Sequence, residues 1–311
     1  MQNRCFPQDP GSPDPDYRWP FPDPAQAVEF ERLCRESFSE GGRDVRIIKG
    51  FALVEGHPGL HGLGNLADEC AQLPQPMWRD VIQRHAKLSG FDNMVRISTQ
   101  ISLGGFEQNA DRLSVRLYPE AAGAEPGVAD CVQREDIPGL RTVLAVDVGE
   151  SIAGLPKLVA QTWAKSDDEL FARAIQNMPR LCQGEYYGMR MTRPKGALME
   201  ILEGGPYAAT AALRFDELPL AKGRHGNLVA LPVRDSLLSW PIDEWPSDDQ
   251  IGLAFHLARG RHEMGPYRVS NQLYWRRPDG VFELQRGLST SRGMRLVASV
   301  GFAQMRARLR S

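Results

Sequence analysis

Charged side chains at the ends of two apolar runs are the first candidates for chemistry in this chain. Asp147 lies in the run "TVLAVDV" (142–148), and Arg234 and Asp235 follow "NLVALPV" (227–233) directly. Strand ends are where folded sheets often present polar groups to a ligand. A binding site formed by Asp147, Arg234 and Asp235 is therefore one hypothesis, and ordinary turn residues that aid solubility are the other.

The histidines have spacings that do not suit a metal site. His256 and His262 are six residues apart, which is about 240° around a helix, whereas zinc-binding helices place two histidines three or four residues apart. His57 and His61 are four apart, but Pro58 and the neighbouring glycines disfavour a helix there. The sequence also lacks a G-x-S-x-G elbow, an EF-hand loop and a zinc-ligand cluster. We therefore expect no metal ion, no cofactor and no catalytic residue that a motif identifies.

Each apolar run is followed by a helix with a strong start signal. Ser166 has Glu169 three residues on, and Ser247 has Gln250 at the same spacing. This is the capping box, in which the serine oxygen and the acid or amide side chain satisfy two backbone N–H groups at the helix start. The order of strand and capped helix thus occurs twice, either as a weak internal repeat or as two units that arose independently.

Composition limits the partners of the chain. Its 311 residues are 42% hydrophobic, and 37 basic against 39 acidic side chains give a formal charge of −2. We expect a packed core and no strong attraction to nucleic acid or to an acidic membrane. No apolar stretch reaches about 20 residues, and five cysteines without a C-x-x-C pair are typical of reduced thiols. These features predict a cytoplasmic protein.

Residues 1–24 form a segment of their own in composition. Seven prolines between Pro7 and Pro24 predict a disordered leader. Tyr17, Trp19 and Phe21 lie among them, and the alternative is an extended peptide that uses these aromatics as anchors for a partner protein.

The rest of the chain predicts an α+β fold with mixed or antiparallel sheets and capped amphipathic helices. Two β-type runs flank "PDG" (278–280), a hairpin signal, and strands and helices alternate irregularly. We expect an α+β body over 25–285, either as one domain or as two lobes at about 25–125 and 137–285. The arginine-rich segment 286–311 follows, with docking on its own core, a partner or a second copy as the alternatives.

Several segments carry a family resemblance. "GLGNLADECAQLPQPMWRDVIQRH", "RLYPE", "LAVDVGESIAGLPKLVAQTWAKSDDELFARAIQN", "GNLVALPVRDSLLSW" and "VSNQLYWRRPDG" occur in this order within residues 44–284. The order resembles a family of bacterial proteins catalogued as a domain of unknown function. This resemblance implies a cytosolic α+β fold without an assigned activity, and it supplies no catalytic residues.

Two functions from different classes remain open. The failed motif search favours a non-catalytic module that binds another protein, such as an adaptor, a regulator or an immunity-type binder. The alternative is an enzyme or a small-molecule-binding protein whose site includes Asp147, Arg234 and Asp235. Convergence of these three side chains in the fold would favour the alternative.

Overall fold

The structure is a computed structural model that divides into two compact units. It describes residues 18–39, 42–48, 50–55, 60–89, 91–125, 127–148, 151–182, 184–190, 198–290 and 293–310. Unit 1 covers residues 1–100 and unit 2 covers residues 101–311.

Unit 1 combines helices with a small antiparallel sheet. Its elements in chain order are α1 (Pro24–Phe38), β1 (Val45–Ile48), β2 (Phe51–Val54), β3 (Leu60–Gly62), α2 (Gly64–Ala71), α3 (Trp78–Ser89) and the first half of α4 (Phe91–Asn109). The strands pair in the order β1-β2-β3. Gly50, with φ 79°, lies in the turn between β1 and β2, where glycine adopts a positive φ without steric cost.

The proline-rich leader ends inside this unit. Asp23 caps α1 by accepting the backbone N–H of Ala25 at 2.9 Å, and Pro24 occupies the first helical position. Immediately before the cap, Trp19 and Phe21 lie against the core of unit 1. The expectation of a disordered leader is therefore wrong for residues 18–23, because burial of two aromatic rings offsets the entropy of ordering this short stretch.

Unit 2 holds two further antiparallel sheets. Its strands are β4 (Leu113–Pro119), β5 (Gln133–Arg134), β6 (Leu140–Asp147), β7 (Ile152–Gly154), β8 (Glu185–Arg190), β9 (Leu198–Glu203), β10 (Asn227–Val233), β11 (Ser236–Pro241), β12 (Leu273–Arg276), β13 (Phe282–Thr290) and β14 (Gly293–Val297). The helices that follow or separate them are α5 (Lys157–Thr162), α6 (Asp167–Leu181), α7 (Asp248–Met264) and α8 (Val300–Arg310).

The larger sheet of unit 2 has the strand order β14-β13-β12-β10-β11-β9-β8. In the smaller sheet β6 pairs with β4, β5 and β7. These antiparallel sheets with their helices confirm the predicted α+β class. Both capping boxes are present, at Ser166 and at Ser247, and β12 and β13 form the predicted hairpin. The two strand-then-helix units begin with β6 and with β10. These two strands belong to different sheets.

The unit boundary lies at residue 100 and not between residues 125 and 137, where the sequence suggested two lobes. Strand β4 explains the difference. It pairs with β6 along its whole length, from Leu113 opposite Val146 to Pro119 opposite Leu140, so residues 113–119 belong to unit 2.

The C-terminal segment is part of unit 2. It supplies the end of β13, then β14 and α8, and Phe302 of α8 is fully buried 5.6 Å from the ring of Trp275. The described residues of the segment 286–311 therefore dock on the core of unit 2. In the described residues, none of the helices has the length and apolar character that crossing a membrane requires.

Candidate arginine–tyrosine site

Three segments of unit 2 meet at the turn that joins β10 to β11. Arg234 and Asp235 form this turn. Its carbonyl groups accept backbone N–H groups from the loop after β9: Ala209 donates to Arg234 at 3.0 Å and Gly204 donates to Asp235 at 2.9 Å. The N–H of Arg234 in turn donates to the carbonyl of Tyr267 at 3.0 Å. Hydrogen bonds at both the N–H and the carbonyl of Arg234 thus fix the backbone that carries its side chain.

The guanidinium of Arg234 lies over two tyrosine rings. Its central carbon is 4.5 Å from the ring centre of Tyr267 and 5.6 Å from that of Tyr118. Cation–π contacts of this kind contribute about 0.5–2 kcal/mol each and leave the N–H donors in the guanidinium plane unused.

A second arginine lies close by. Arg116 and Tyr118 are two residues apart on β4, so their side chains project from the same face of the strand. The guanidinium carbon of Arg116 is 5.9 Å from the ring centre of Tyr207. Burial and, as the next cause, the positive charge of Arg116 lower the pKa of Arg234 to about 10, while Tyr118, Tyr267 and Asp235 oppose the shift. Arg234 therefore remains charged at neutral pH beside a like charge.

The two guanidinium groups lack described acceptors at their Nε atoms. The Nε–H groups of Arg116 and Arg234 are buried and have no hydrogen-bond partner among the described residues. The charge of the adjacent Asp235 favours the charged form of Arg234. Arg276 shows a different arrangement: it lies over the ring of Phe215 at 4.8 Å, and its Nη2 also donates to Asp216 at 2.6 Å. The site thus holds two guanidinium groups that lie over aromatic rings and whose Nε–H groups have no described acceptor.

Asp147 is tied to the same group through Tyr207. The hydroxyl of Tyr207 donates to Oδ2 of Asp147 at 2.8 Å, at the end of β6. Burial of Tyr207, which is 2% exposed, raises the pKa of its phenol, the hydrogen bond to Asp147 acts in the same direction, and a hydrogen bond from Ser114 opposes both. Tyr207 therefore remains a neutral donor at physiological pH.

Tyr267 has an unusual backbone. Its φ of 55° lies in the left-handed region, which costs a bulky residue about 1–2 kcal/mol. Strain of this kind concentrates at binding and catalytic sites, because surrounding contacts must enforce it. Here it accompanies the contact of the Tyr267 ring with Arg234.

Of the three residues proposed from the sequence, Asp147 and Arg234 belong to this group. Asp147 binds Tyr207, whose ring lies near Arg116 of β4, and Arg234 lies over Tyr118 of the same strand. Asp235 is exposed, and its charge interacts with Glu203, Arg261 and Arg234. Partial burial raises the pKa of Asp235, and Glu203 acts in the same direction. We refer to Arg116, Tyr118, Asp147, Tyr207, Arg234 and Tyr267 as the arginine–tyrosine site.

The sequence did not identify four members of this site: Arg116, Tyr118, Tyr207 and Tyr267. One signal was present for two of them. In "LSVRLYP" an arginine and a tyrosine alternate within an otherwise apolar strand, which places both on one face. Tyr207 and Tyr267 come from irregular segments, where spacing carries no comparable information.

The aromatic residues proposed as partner anchors have intramolecular contacts. Trp19 donates its indole N–H to Glu31 at 2.9 Å, and the ring of Phe21 lies 4.8 Å from that of Trp78. Tyr17 lies outside the described residues.

Two other regions of unit 2 carry histidines or a cavity. His256 is exposed and His262 is partly buried, and the described residues contain no group of three potential metal ligands. A cavity of about 530 Å³ lies between the β12–β13 turn and α8, lined by Trp275, Arg277 and Leu309 among others. Arg277 is already paired with Asp279 and Glu283. The stacked guanidinium groups of the arginine–tyrosine site, whose Nε–H groups have no described acceptor, make it the stronger candidate.

Comparisons of the chain with protein-family models, with curated proteins and with solved structures return no match.

Proposed function

We propose that unit 2 binds a small anionic ligand at the arginine–tyrosine site. The observation that supports this proposal is the cluster in which the guanidinium groups of Arg116 and Arg234 lie over tyrosine rings while their buried Nε–H groups have no hydrogen-bond partner in the described residues. A buried or partly buried charge that lacks a partner costs free energy, so folded proteins generally pair such groups. An oxyanion bound between the two guanidinium groups would supply the missing acceptors.

The tyrosines give the proposed site its shape. Tyr118 and Tyr267 contact the guanidinium of Arg234, and the ring of Tyr207 contacts that of Arg116. Side chains held in this way lose little entropy when a ligand binds. This is the second of the two functions that the sequence left open, and it assigns no reaction to the site.

The test is calorimetric titration of the full chain with sulfate. We expect binding by the wild type and a loss of about tenfold or more, about 1.4 kcal/mol, in Arg116→Met and Arg234→Met. Arg277→Met is the matched control. Arg276 pairs with Asn227 at the far end of β10, so Arg277 lies about 20 Å from the turn that contains Arg234. Absence of binding by the wild type, or equal losses in all three variants, would refute the proposal.

A protein-interaction role is the second candidate, and a separate observation favours it. β8 is an edge strand of the larger sheet, and its neighbouring residues Tyr186 and Tyr187 are 40% and 48% exposed. Successive side chains point to opposite faces of a strand, so both faces of this edge carry an exposed aromatic ring. Edge strands of this kind can pair with a strand from another chain, including a second copy.

Sedimentation of the full chain over a range of concentrations tests this role for self-association. We expect a reversible dimer that Tyr186→Ser and Tyr187→Ser weaken, whereas Arg234→Met leaves it unchanged. A monomer at all concentrations would exclude β8 as a contact between copies.

A further inference from the structure

The cavity between α8 and the turn that joins β12 to β13 has the size of a ligand site. Its volume is about 530 Å³, and small-molecule sites in proteins occupy about 300–1,000 Å³. All of its lining residues belong to unit 2. Arg277 in its wall lies about 20 Å from the turn that contains Arg234. The cavity is therefore separate from the arginine–tyrosine site.

Three large apolar side chains line this cavity. Trp275 on β12 is 6% exposed, and Met305 and Leu309 lie four residues apart on one face of α8. Trp275 belongs to the hydrophobic cluster that contains Phe302, and the other two side chains pack against it. The indole N–H of Trp275 already donates to the carbonyl of His225 at 2.8 Å. This part of the cavity therefore contacts a ligand through apolar surface.

The arginine in the cavity wall already has carboxylate partners. Arg277 contacts Asp279 at 2.6 Å and Glu283 at 3.3 Å, and Glu283 also accepts the hydroxyl of Ser299 at 2.6 Å. A charged ligand at this wall would have to disrupt these ion pairs, and its own charge would lose water as it entered the cavity. An uncharged ligand meets neither cost, and its apolar surface leaves water.

Several contacts fix the position of α8 beside the cavity. The hydroxyl oxygen of Ser299 caps the helix by accepting the N–H of Phe302 at 3.3 Å. Gly301 lies so close to β13 that a Cβ there would be 2.5 Å from Oε1 of Glu283. The buried ring of Phe302 lies 5.6 Å from the ring of Trp275. A cavity held in this way needs little reorganisation when a ligand binds.

We propose that this cavity binds a small uncharged aromatic molecule. A flat ring can lie against the indole of Trp275, because aromatic pairs are favourable in offset-stacked and edge-to-face arrangements. The thioether of Met305 is also a favourable neighbour for an aromatic ring, and its unbranched side chain adapts to the shape of a ligand. Binding at this second site does not depend on the proposed anion binding.

The test is calorimetric titration of the full chain with 2-naphthol and with 2-naphthoate. The two probes share the same pair of fused rings, but only 2-naphthoate is charged at neutral pH. We expect saturable binding of 2-naphthol at a single site and binding of 2-naphthoate that is weaker by at least about tenfold. Sulfate should not compete with 2-naphthol, because the two sites are separate.

Two tryptophan variants on α8 locate the bound probe. Met305→Trp places a larger side chain in the cavity and should abolish the binding of 2-naphthol. Ala303→Trp is the matched control, because Ala303 is exposed on the same helix and lies outside the cavity lining, so that binding should be retained. If circular dichroism shows that Met305→Trp is unfolded, Met305→Gln replaces it. Its polar amide in the apolar part of the cavity should weaken binding by about fivefold or more.

Several results would overturn this assignment of the cavity. They are the absence of saturable 2-naphthol binding, equal affinity for 2-naphthoate, unchanged binding in the Met305 variant, and equal losses in both tryptophan variants. Sedimentation of the titrated samples should show an unchanged mass. Dissociation of an oligomer by 2-naphthol would instead assign the cavity to a side chain of a second copy. Sulfate binding, which tests the arginine–tyrosine site, is measured separately from all of these results.

Discussion

The backbone of Tyr267 adopts a φ of 55°, and its ring centre lies 4.5 Å from the guanidinium carbon of Arg234. The same residue accepts the backbone N–H of Arg234 through its carbonyl at 3.0 Å. One strained residue thus contacts Arg234 at both its main chain and its side chain. Stability and ligand binding should therefore respond differently to substitution at this position.

The first prediction compares Tyr267→Ala with Tyr267→Gly. Both remove the ring, but only glycine adopts a positive φ without steric cost. We expect the glycine variant to be more stable than the alanine variant by about 1 kcal/mol in urea denaturation. Both variants should weaken sulfate binding to the same extent, since Arg234 loses the same ring contact. Equal stability of the two would show that the backbone at Tyr267 is not strained.

The second prediction concerns the cost of burying the Arg234 guanidinium. Arg234→Met removes a partly buried charge whose Nε–H has no described acceptor, and methionine retains much of the packing volume. We expect the free energy of unfolding without ligand to stay within about 1 kcal/mol of wild type, because relief of desolvation offsets the lost cation–π contacts. Urea denaturation with and without sulfate measures this, and sulfate should stabilise only the wild type.

Arg276→Met is the matched control for that experiment. Arg276 also lies over an aromatic ring, but it has a partner in Asp216 at 2.6 Å. Its replacement should cost about 1.5–3 kcal/mol, the usual contribution of a hydrogen bond to a charged group. A loss of this size in Arg234→Met as well would indicate that Arg234 is structural and would weaken the case for a ligand.

The third prediction addresses the hydrogen bond between Tyr207 and Asp147. Tyr207→Phe keeps the ring that contacts Arg116 and removes the donor, so we expect a loss of stability of about 1–2 kcal/mol. Sulfate affinity should change by less than about threefold, which is about 0.7 kcal/mol. Together with Asp147→Asn and the double variant, thermal and urea melts form a double-mutant cycle. Additive effects would mean that the 2.8 Å contact does not contribute to stability.

The contrast between local and distant signals explains what the sequence could predict. The capping boxes at Ser166 and Ser247 depend on residues three apart, and the β12–β13 hairpin depends on a turn of a few residues. Such elements have their determinants within the segment itself. Strand β10 was predicted with its exact ends, Asn227 and Val233, because a continuous apolar run ends at the charged turn.

The candidate site could be predicted only in part, for the same reason. Arg234 and Asp147 were recognisable as polar residues at strand ends, but their connection runs through Arg116 and Tyr207, which lie far from them in the sequence. The positive φ of Tyr267 depends on the contacts around it and leaves no trace in residue type. Tertiary packing decides both the connection between these side chains and the backbone conformation of Tyr267, and a single sequence does not display this packing.

At the leader, proline content alone leads to a wrong prediction of disorder. Proline prevents helix and sheet, which predicts an extended chain at residues 18–23. An extended chain can nevertheless pack, and Trp19 and Phe21 do so against Phe30 at ring distances of 5.0 and 5.2 Å. The aromatic residues, and not the prolines between them, decide where this stretch lies.

The fourth prediction follows from that packing. Deletion of residues 1–23 removes the Trp19 and Phe21 rings from the core of unit 1 and takes the indole N–H from Glu31, which is 2% exposed. The carboxylate keeps its contact with Arg35 at 2.7 Å, so the loss comes mainly from the exposed aromatic surface and from the Asp23 cap of α1, which the deletion also removes. We expect the free energy of unfolding of unit 1 to fall by about 2–4 kcal/mol, seen as a lower temperature of the first transition in calorimetry.

Trp19→Phe in the full chain is the control. It should lose much less stability than the deletion does, because it keeps a ring against Phe30 and gives up only one hydrogen bond. An unchanged transition after the deletion would mean that residues 18–23 do not stabilise unit 1.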